Sequence, residues 1–267
     1  MTISDWIKHR EMTGGRFFTY DELRAAVPNL SGQVTSNLLN RLRKVGRIES
    51  PYRGFYVILP PEYVLRGGVP PVFYMDDLLR HLGRNYYFSL LSAAVFWGAA
   101  HQRPQVDFVA IDKSRLFTGN RRHREVQWIV KPQIPEQFVC IRKGEAGDVR
   151  YSNAELTALD LVQYEHLCGG LSAVATVLGE LLESTDFRCA SSGVFKGAKD
   201  SVIRRLGYVV EKVLGDERQA AIIHEEWRKI GKTVHYVPLS NKSDGAQSRR
   251  DERWKIVLNA DIEVDDL

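Results

Sequence analysis

Gln33, Ser36, Asn37 and Asn40 fall in one short run, and Arg43 and Lys44 follow at once. Amide and hydroxyl side chains offer paired donors and acceptors without net charge. That is the chemistry that distinguishes base edges in the major groove of DNA. Guanidinium and ammonium groups beside them neutralise phosphate, which orients a protein on a duplex without reading its sequence. This face carries no acid, whereas an ordinary solvated helix mixes Glu with Lys. The spacing therefore nominates Gln33, Ser36, Asn37 and Asn40 as base-reading residues, with Ser31, Arg43, Lys44 and Arg53 as phosphate contacts.

Such a face needs a scaffold, and the flanking residues supply the signals for one. In Phe18-Thr19-Tyr20-Asp21-Glu22-Leu23, Thr19 is an N-cap and Glu22 stands three residues later, the pattern of a capping box. Phe18 and Leu23 bracket it as a hydrophobic staple. The short helix stops near Ala26, because Pro28 disfavours helix at the residue before it. A second helix is predicted from the Ser31 cap to Gly46, with Arg43 and Lys44 in the last turn, where the helix dipole favours cations. Val34, Leu38, Leu42 and Val45 lie within about 40° of one line at helical spacing, so they are expected to face the core. Arg47 to Ser50 and Phe55 to Leu59 read as two strands around a Pro51-Tyr52-Arg53-Gly54 turn. A helix from about Ser4 to Met12, with Trp6 and Ile7 inward, closes the small core. Short capped helix, turn, longer helix and hairpin is the order of a winged helix–turn–helix, whose second helix enters the major groove. A winged fold serving only protein contacts, or a part of a larger helical domain, are the alternatives.

The bulk numbers agree with this reading. The chain has 267 residues, 44% hydrophobic and 26% charged, with a net charge of +4. Residues 1–60 hold nine Lys/Arg and five Asp/Glu, and residues 61–145 hold twelve and eight; the remainder holds sixteen and twenty. The front half is basic, as a nucleic-acid partner requires. No apolar run reaches the roughly 18 residues of a membrane span, and Met1 to Arg10 does not read as a signal peptide. Cys140, Cys168 and Cys189 are odd in number and contain no Cys-x-x-Cys, which supports neither a zinc site nor a disulfide framework. A cytoplasmic protein with reduced thiols is expected.

Pro60-Pro61 and Gly67-Gly68-Val69-Pro70-Pro71 bracket a connector, so the domain boundary is placed at residue 68. Helices are predicted from Met75 to Leu82 and from Tyr86 to Ala100. Strands follow at Val106 to Ile111, Glu125 to Lys131 and Phe138 to Arg142. Tyr151 to Leu156 repeats the capping-box-and-staple pattern, with Ser152 as the cap and Glu155 at N3, for a helix running to about Tyr164. Further helices are predicted at Leu171 to Glu183, Lys199 to Leu214 and Gln219 to Ile230, and late strands at Thr233 to Pro238 and Trp254 to Leu258. The fold class is α+β: an N-terminal winged helix–turn–helix over residues 1–68, then a larger mixed α+β domain over residues 69–267.

That second domain shows no catalytic signature. A metal-dependent nuclease core has Asp or Glu two residues before Lys, with another acid upstream; no acid in this chain is so placed, and the nearest matches end in Arg. Gly231-Lys232-Thr233 resembles the end of a P-loop, but Glu226 occupies the position that needs Gly. There is no Gly-x-Ser-x-Gly elbow and no His-Glu-x-x-His. None of the seven histidines stands at metal-ligand spacing from another, and the His166/Cys168 pair reads as structural. No enzymatic activity, metal or cofactor is expected. Arg121, Arg122 and Arg124 form either a solvated loop or a second nucleic-acid contact. Arg204-Arg205, on a helix whose other face is apolar, reads as a solvated face or a further contact.

The ordered set of these segments resembles a known family. Tyr20-Asp21-Glu22-Leu23, Ser31-Gly32-Gln33-Val34, Leu39 to Ile48 and Arg53-Gly54-Phe55-Tyr56-Val57 are similar to the N-terminal domain of AbiEi-type antitoxins. Tyr86 to Ala94, Ser152 to Val162 and Arg204-Arg205-Leu206-Gly207-Tyr208 extend the likeness. The resemblance implies a type IV toxin–antitoxin system. It implies an antitoxin that represses its own operon by binding inverted repeats in double-stranded operator DNA. It also implies that this antitoxin counteracts a nucleotidyltransferase toxin encoded beside it, without a stable complex. A stand-alone winged-helix regulator, a nucleic-acid-processing enzyme and a protein-interaction scaffold are the competing classes.

Overall fold

The structure, a computed structural model, describes residues 2–64, 68–100, 104–113, 126–145, 147–190, 193–230, 235–240 and 249–264. The chain is mixed α+β, as expected. Its contacts divide it into two units: Met1–Tyr86 with Gln105–Ile134 and Ile141–Arg150, and Tyr87–Pro104 with Pro135–Cys140 and Tyr151–Leu267.

The first unit opens with α1 (Ile3–Met12). A capping box starts it: the Thr2 hydroxyl accepts from the Asp5 backbone N–H at 3.1 Å. β1 (Phe17–Thr19) and α2 (Tyr20–Ala26) follow. At their junction the Thr19 hydroxyl accepts from Glu22 N at 3.2 Å, and Glu22 Oε2 accepts from Thr19 N at 2.7 Å. Two orphan donors of α2 are thus satisfied reciprocally. α3 (Gly32–Lys44) is capped by Ser31, whose hydroxyl accepts from Val34 N at 3.3 Å. β2 (Ile48–Tyr52) and β3 (Phe55–Ile58) complete an antiparallel sheet in the order β1-β3-β2. α4 (Pro61–Val64) and α5 (Met75–His81) come next.

Ile3, Ile7, Phe18, Leu23, Val27, Leu39, Ile48 and Ile58 form the buried cluster that α1, α2, α3 and the small sheet share. Burying a side chain such as Leu23 contributes about 1.5–3 kcal/mol. Trp6 meets Phe18 edge-on at 5.3 Å between ring centroids. The hairpin turn is tighter than its sequence suggests. Tyr52 pairs directly with Phe55, leaving Arg53-Gly54 as a two-residue loop, with Gly54 at φ +78°. Pro51 lies inside β2 and not in the turn. The register shifts between Glu49 and Tyr52, an irregularity that suits a residue with no N–H to give to the ladder.

Beyond α5 the strands are β4 (Tyr86–Phe88), β5 (Asp107–Ile111), β6 (Val126–Val130), β7 (Val139–Gly144) and β8 (Gly147–Ser152). Their order in the sheet is β6-β5-β4-β8-β7. β5 and β6 run parallel in full register, from Asp107 opposite Val126 to Ile111 opposite Val130. The helix predicted from Tyr86 begins only at α6 (Leu90–Phe96). The aromatic run before it takes the extended conformation that suits such side chains, and buried Leu90 at φ +50° turns the chain from strand to helix.

The second unit is mainly helical. Its helices are α7 (Ala154–Gln163), α8 (Leu171–Leu181), α9 (Phe187–Ala190), α10 (Asp200–Tyr208) and α11 (Glu217–Ile230). Short β9 (Val237–Pro238), β10 (Arg250–Asp251) and β11 (Ile256–Val257) form a third sheet in the order β10-β11-β9. The cap of α7 sits one residue later than expected. Asn153 takes the position, and its Oδ1 accepts from Leu156 N at 2.9 Å. Ser152 lies at the end of β8 and shares a 2.7 Å hydrogen bond with the Thr157 hydroxyl. Glu155 instead bridges outward, accepting from Asn153 Nδ2 at 2.6 Å and from Asp186 N at 3.0 Å.

α10 packs against α7 and α11, and its basic pair is buried: Arg204 is 0% and Arg205 4% exposed. Neither a solvated face nor a nucleic-acid contact describes them. Arg204 Nη1 donates to the carbonyls of His235 at 2.8 Å and Lys255 at 3.2 Å, and Nη2 donates to Asp200. Asp200 also accepts from the Trp227 indole N–H at 2.7 Å. Arg205 Nε donates to the Pro238 carbonyl at 2.8 Å. The guanidinium forks thus fix the residues around β9 and β11 to α10. Gly207 serves the same seam: a Cβ there would meet the buried Trp254 ring at 2.0 Å, closer than any side chain allows.

Candidate nucleic-acid interface

α3 owes its orientation to Thr35 and Leu39, its two buried residues. The Thr35 hydroxyl donates to the Ser31 carbonyl one turn back at 3.0 Å, so a nominally polar side chain fits a core position. Arg24 ties the preceding turn down by donating to the Leu30 carbonyl and to Thr35 Oγ1. The inward line is therefore Thr35–Leu39, with Leu38 and Leu42 half-buried beside it. This corrects the expected core line. Val34 is 44% and Val45 65% exposed. The helix is rolled about its axis because a satisfied Thr packs inward and Val34 does not.

The rotation sets which residues face solvent. Gln33, Val34, Asn37, Asn40, Arg41 and Lys44 are all exposed. At 3.6 residues per turn they span about 120°, with Asn37 opposite the buried line. Of the four predicted base-reading residues, Gln33, Asn37 and Asn40 share this fan, while Ser36 is half-buried at its border. Of the predicted phosphate contacts, Lys44 lies on the fan, Ser31 is exposed at the helix start, and Arg53 is exposed at the hairpin tip; Arg43 is half-buried on the flank. Arg41 was not among the predicted contacts, and the Thr35–Leu39 spacing is the signal that would have placed it outward. Arg121, Arg122 and Arg124 lie outside the described residues.

The cations of the first unit fall into two groups. Arg10 pairs with Glu22 at 3.1 Å and donates to the Phe17 carbonyl at 2.7 Å, and Arg47 pairs with Glu11. These arginines hold the core elements together. Among the described residues, Arg41, Arg43, Lys44 and Arg53 form no ion pair. The first turn of α3 carries no acid. On the fan itself, Gln33 Nε2 donates to Asn37 Oδ1 at 3.2 Å.

The second unit buries several paired polar groups. The Tyr87 hydroxyl donates to Asp160 Oδ2 at 2.8 Å. Burial, and then the carboxylate beside it, hold this phenol well above its ordinary pKa, so it remains a donor. Burial pushes the Cys168 thiol up to about 12 and also raises Cys140, which leaves both as unreactive thiols at neutral pH. Gln219 accepts from Phe187 N at 3.3 Å and donates to the Thr185 carbonyl at 2.8 Å. Among the described residues, no group of three or more His, Cys, Asp or Glu side chains could hold a metal ion. Among them, too, no helix is long and apolar enough to cross a membrane.

Comparison with known proteins bears on both units. The chain is similar to the RV2827C protein from Mycobacterium tuberculosis, with a TM-score of 0.70, 14% identity, and coverage of 95% of this chain and 89% of that one. At this identity the likeness shows the fold alone. No curated protein matches. Residues 87–212 match the AbiEi antitoxin C-terminal domain. That stretch includes the Tyr87–Asp160 pair and the Arg204–Arg205 seam, and it is the part of the chain that is similar to the C-terminal domain of AbiEi antitoxins.

Proposed function

We propose that this protein is the DNA-binding repressor and antitoxin of a type IV toxin–antitoxin system. On this reading residues 1–68 are a winged helix–turn–helix that binds double-stranded operator DNA at inverted repeats. Residues 69–267 are the regulatory part that counteracts a nucleotidyltransferase toxin without a stable complex. The observation that carries the DNA-binding half is the outward face of α3: amides and cations that form no ion pair among the described residues, with no acid, on a helix held by a closed core. α3 enters the major groove, where Gln33, Asn37 and Asn40 meet base edges, with Ser36 at the border. Ser31, Arg43, Lys44 and Arg53 meet phosphate, and Arg41 joins them. The similarity of residues 87–212 to the AbiEi antitoxin C-terminal domain supports the antitoxin half.

The direct test uses the full chain and a labelled duplex from the region upstream of its own gene. A shift on that duplex at salt concentrations where an unrelated duplex stays free is the expected result. Equal shifts on both would remove the operator-binding role. Co-expression with the adjacent toxin gene tests the other half, and growth should be restored by the wild-type chain. A toxin that remains lethal at full antitoxin expression would end that part of the reading.

A further inference from the structure

The roll of α3 leaves an apolar side chain at one edge of a polar surface. Val34 stands in the first turn, 44% exposed, at the border of the fan and next to Asn37 at i+3. It is not part of the buried cluster shared by α1, α2, α3 and the small sheet. Its two neighbours are coupled: the Gln33 amide donates to Asn37 Oδ1 at 3.2 Å. That bond engages the NH2 of Gln33 and the carbonyl of Asn37. It leaves a carbonyl oxygen on Gln33 and an NH2 on Asn37, neither with a further protein partner among the described residues. One acceptor and one donor, on two side chains joined by that bond, form a fork of defined polarity.

In the major groove, adenine shows a donor at N6 beside an acceptor at N7, and thymine shows an acceptor beside a methyl group. The Gln33 carbonyl complements N6–H, and the Asn37 NH2 complements N7. Guanine offers acceptors at both positions and leaves the Gln33 carbonyl facing another acceptor, a contact whose cost falls on the wrong base. The Val34 methyls extend from the same turn, beside the fork. A cytosine offers them nothing apolar, whereas the thymine 5-methyl does. The leading residues of a helix in the groove are the ones that reach base edges.

We propose that Gln33, Val34 and Asn37 act as one reading unit. The amide fork takes an adenine, and Val34 packs on the 5-methyl of a thymine in the neighbouring base pair. This rests on the DNA-binding role of α3 argued above and adds the base class that α3 selects. A core position for Val34 would have hidden this side chain. Its exposure, with the amide coupling, makes the specificity prediction.

The test separates the two levels. The full chain is used to select duplexes from a randomised library, and the enriched site is then remade with each thymine replaced in turn by deoxyuridine, which removes only the methyl. An enriched adenine next to a thymine is expected. Wild type should lose about fourfold in affinity at one deoxyuridine position, the factor carried by one buried methyl. Val34→Ala should bind thymine and deoxyuridine duplexes equally, while Gln33→Ala and Asn37→Ala lose the adenine preference. An enriched site that tolerates every deoxyuridine, or a Val34→Ala variant that still distinguishes the two, would overturn the inference while leaving DNA binding intact. A library with no enrichment would overturn the DNA-binding reading and this inference with it. Val34 is exposed, so its variant should melt with the wild type, and the deoxyuridine measurement does not depend on any protein substitution.

Discussion

Two basic segments of this chain look alike on paper and differ completely in space. Arg41, Arg43 and Lys44 end α3, and Arg204 and Arg205 sit inside α10; both helices are strongly amphipathic. Arg41 and Lys44 are exposed and form no ion pair among the described residues. Arg204 and Arg205 are buried, with their guanidinium donors on backbone carbonyls and on Asp200. A guanidinium can be buried only when partners replace its water. For α10, the carbonyl partners come from residues 31 to 51 positions away in the sequence, and Asp200 from one turn back on the same helix. For α3 no such segment arrives among the described residues, so its cations remain available to an external anion. Cationic character marks a ligand site only where the fold withholds an internal partner.

The strongest way to break this comparison is to remove a buried arginine. Arg204→Ala strands two carbonyls and leaves Asp200 without its cation, and should destabilise the chain by about 3–5 kcal/mol. A urea melt measures this, and a loss under about 1 kcal/mol would mean that the seam is not held by this residue. The folded fraction of that variant should still bind DNA. Next in size is Asn37→Ala, expected to cost about 1–3 kcal/mol on the operator and to relax sequence preference. A uniform loss on every duplex would move Asn37 into the phosphate set. Asn153→Ala should cost about 1 kcal/mol of thermal stability as a lost N-cap. Asn153→Ser should recover most of this loss, because a Ser hydroxyl at N-cap accepts from the same helix N–H groups.

The smallest effect sharpens the α3 side. Lys44→Ala should weaken binding to all sequences alike and reduce the slope of log affinity against log salt by about one unit. Arg43→Ala should reduce it by less, since Arg43 is half-buried on the flank. Equal slopes for the two variants would show that exposure does not separate them.

Much of the first unit was legible because its signals are local. A capping box satisfies its donors within three residues, so Thr19 and Glu22 announced α2 without help from the rest of the chain. The Ser31 cap and the positive-φ Gly46 bounded α3 in the same way. The hairpin was legible as two strands, but its loop was not: Pro51 read as a turn residue, and β2 accommodates it through a register shift. β1 and β8 escaped notice. β1 has three residues, too few to show a period, and exists only through pairing with the distant β3; β8 pairs with the distant β4 as well as with the neighbouring β7. The α7 cap slipped by one residue because Ser152 and Asn153 are both good caps, and β8 claims the first.

Local sequence was enough to set where the N-terminal helices begin and end, which segments carry apolar stripes, and that an acid-free run of amides and cations follows Ser31. Those properties follow from hydrogen bonds and spacings a few residues long. Only the tertiary structure decided which side of α3 faces out. Thr35 satisfies its hydroxyl on its own helix and turns inward, which brings Val34 and Arg41 to the surface. Only the tertiary structure could tell the Arg204–Arg205 pair from the α3 cations, because the burial of a charge is settled by distant groups that replace its water.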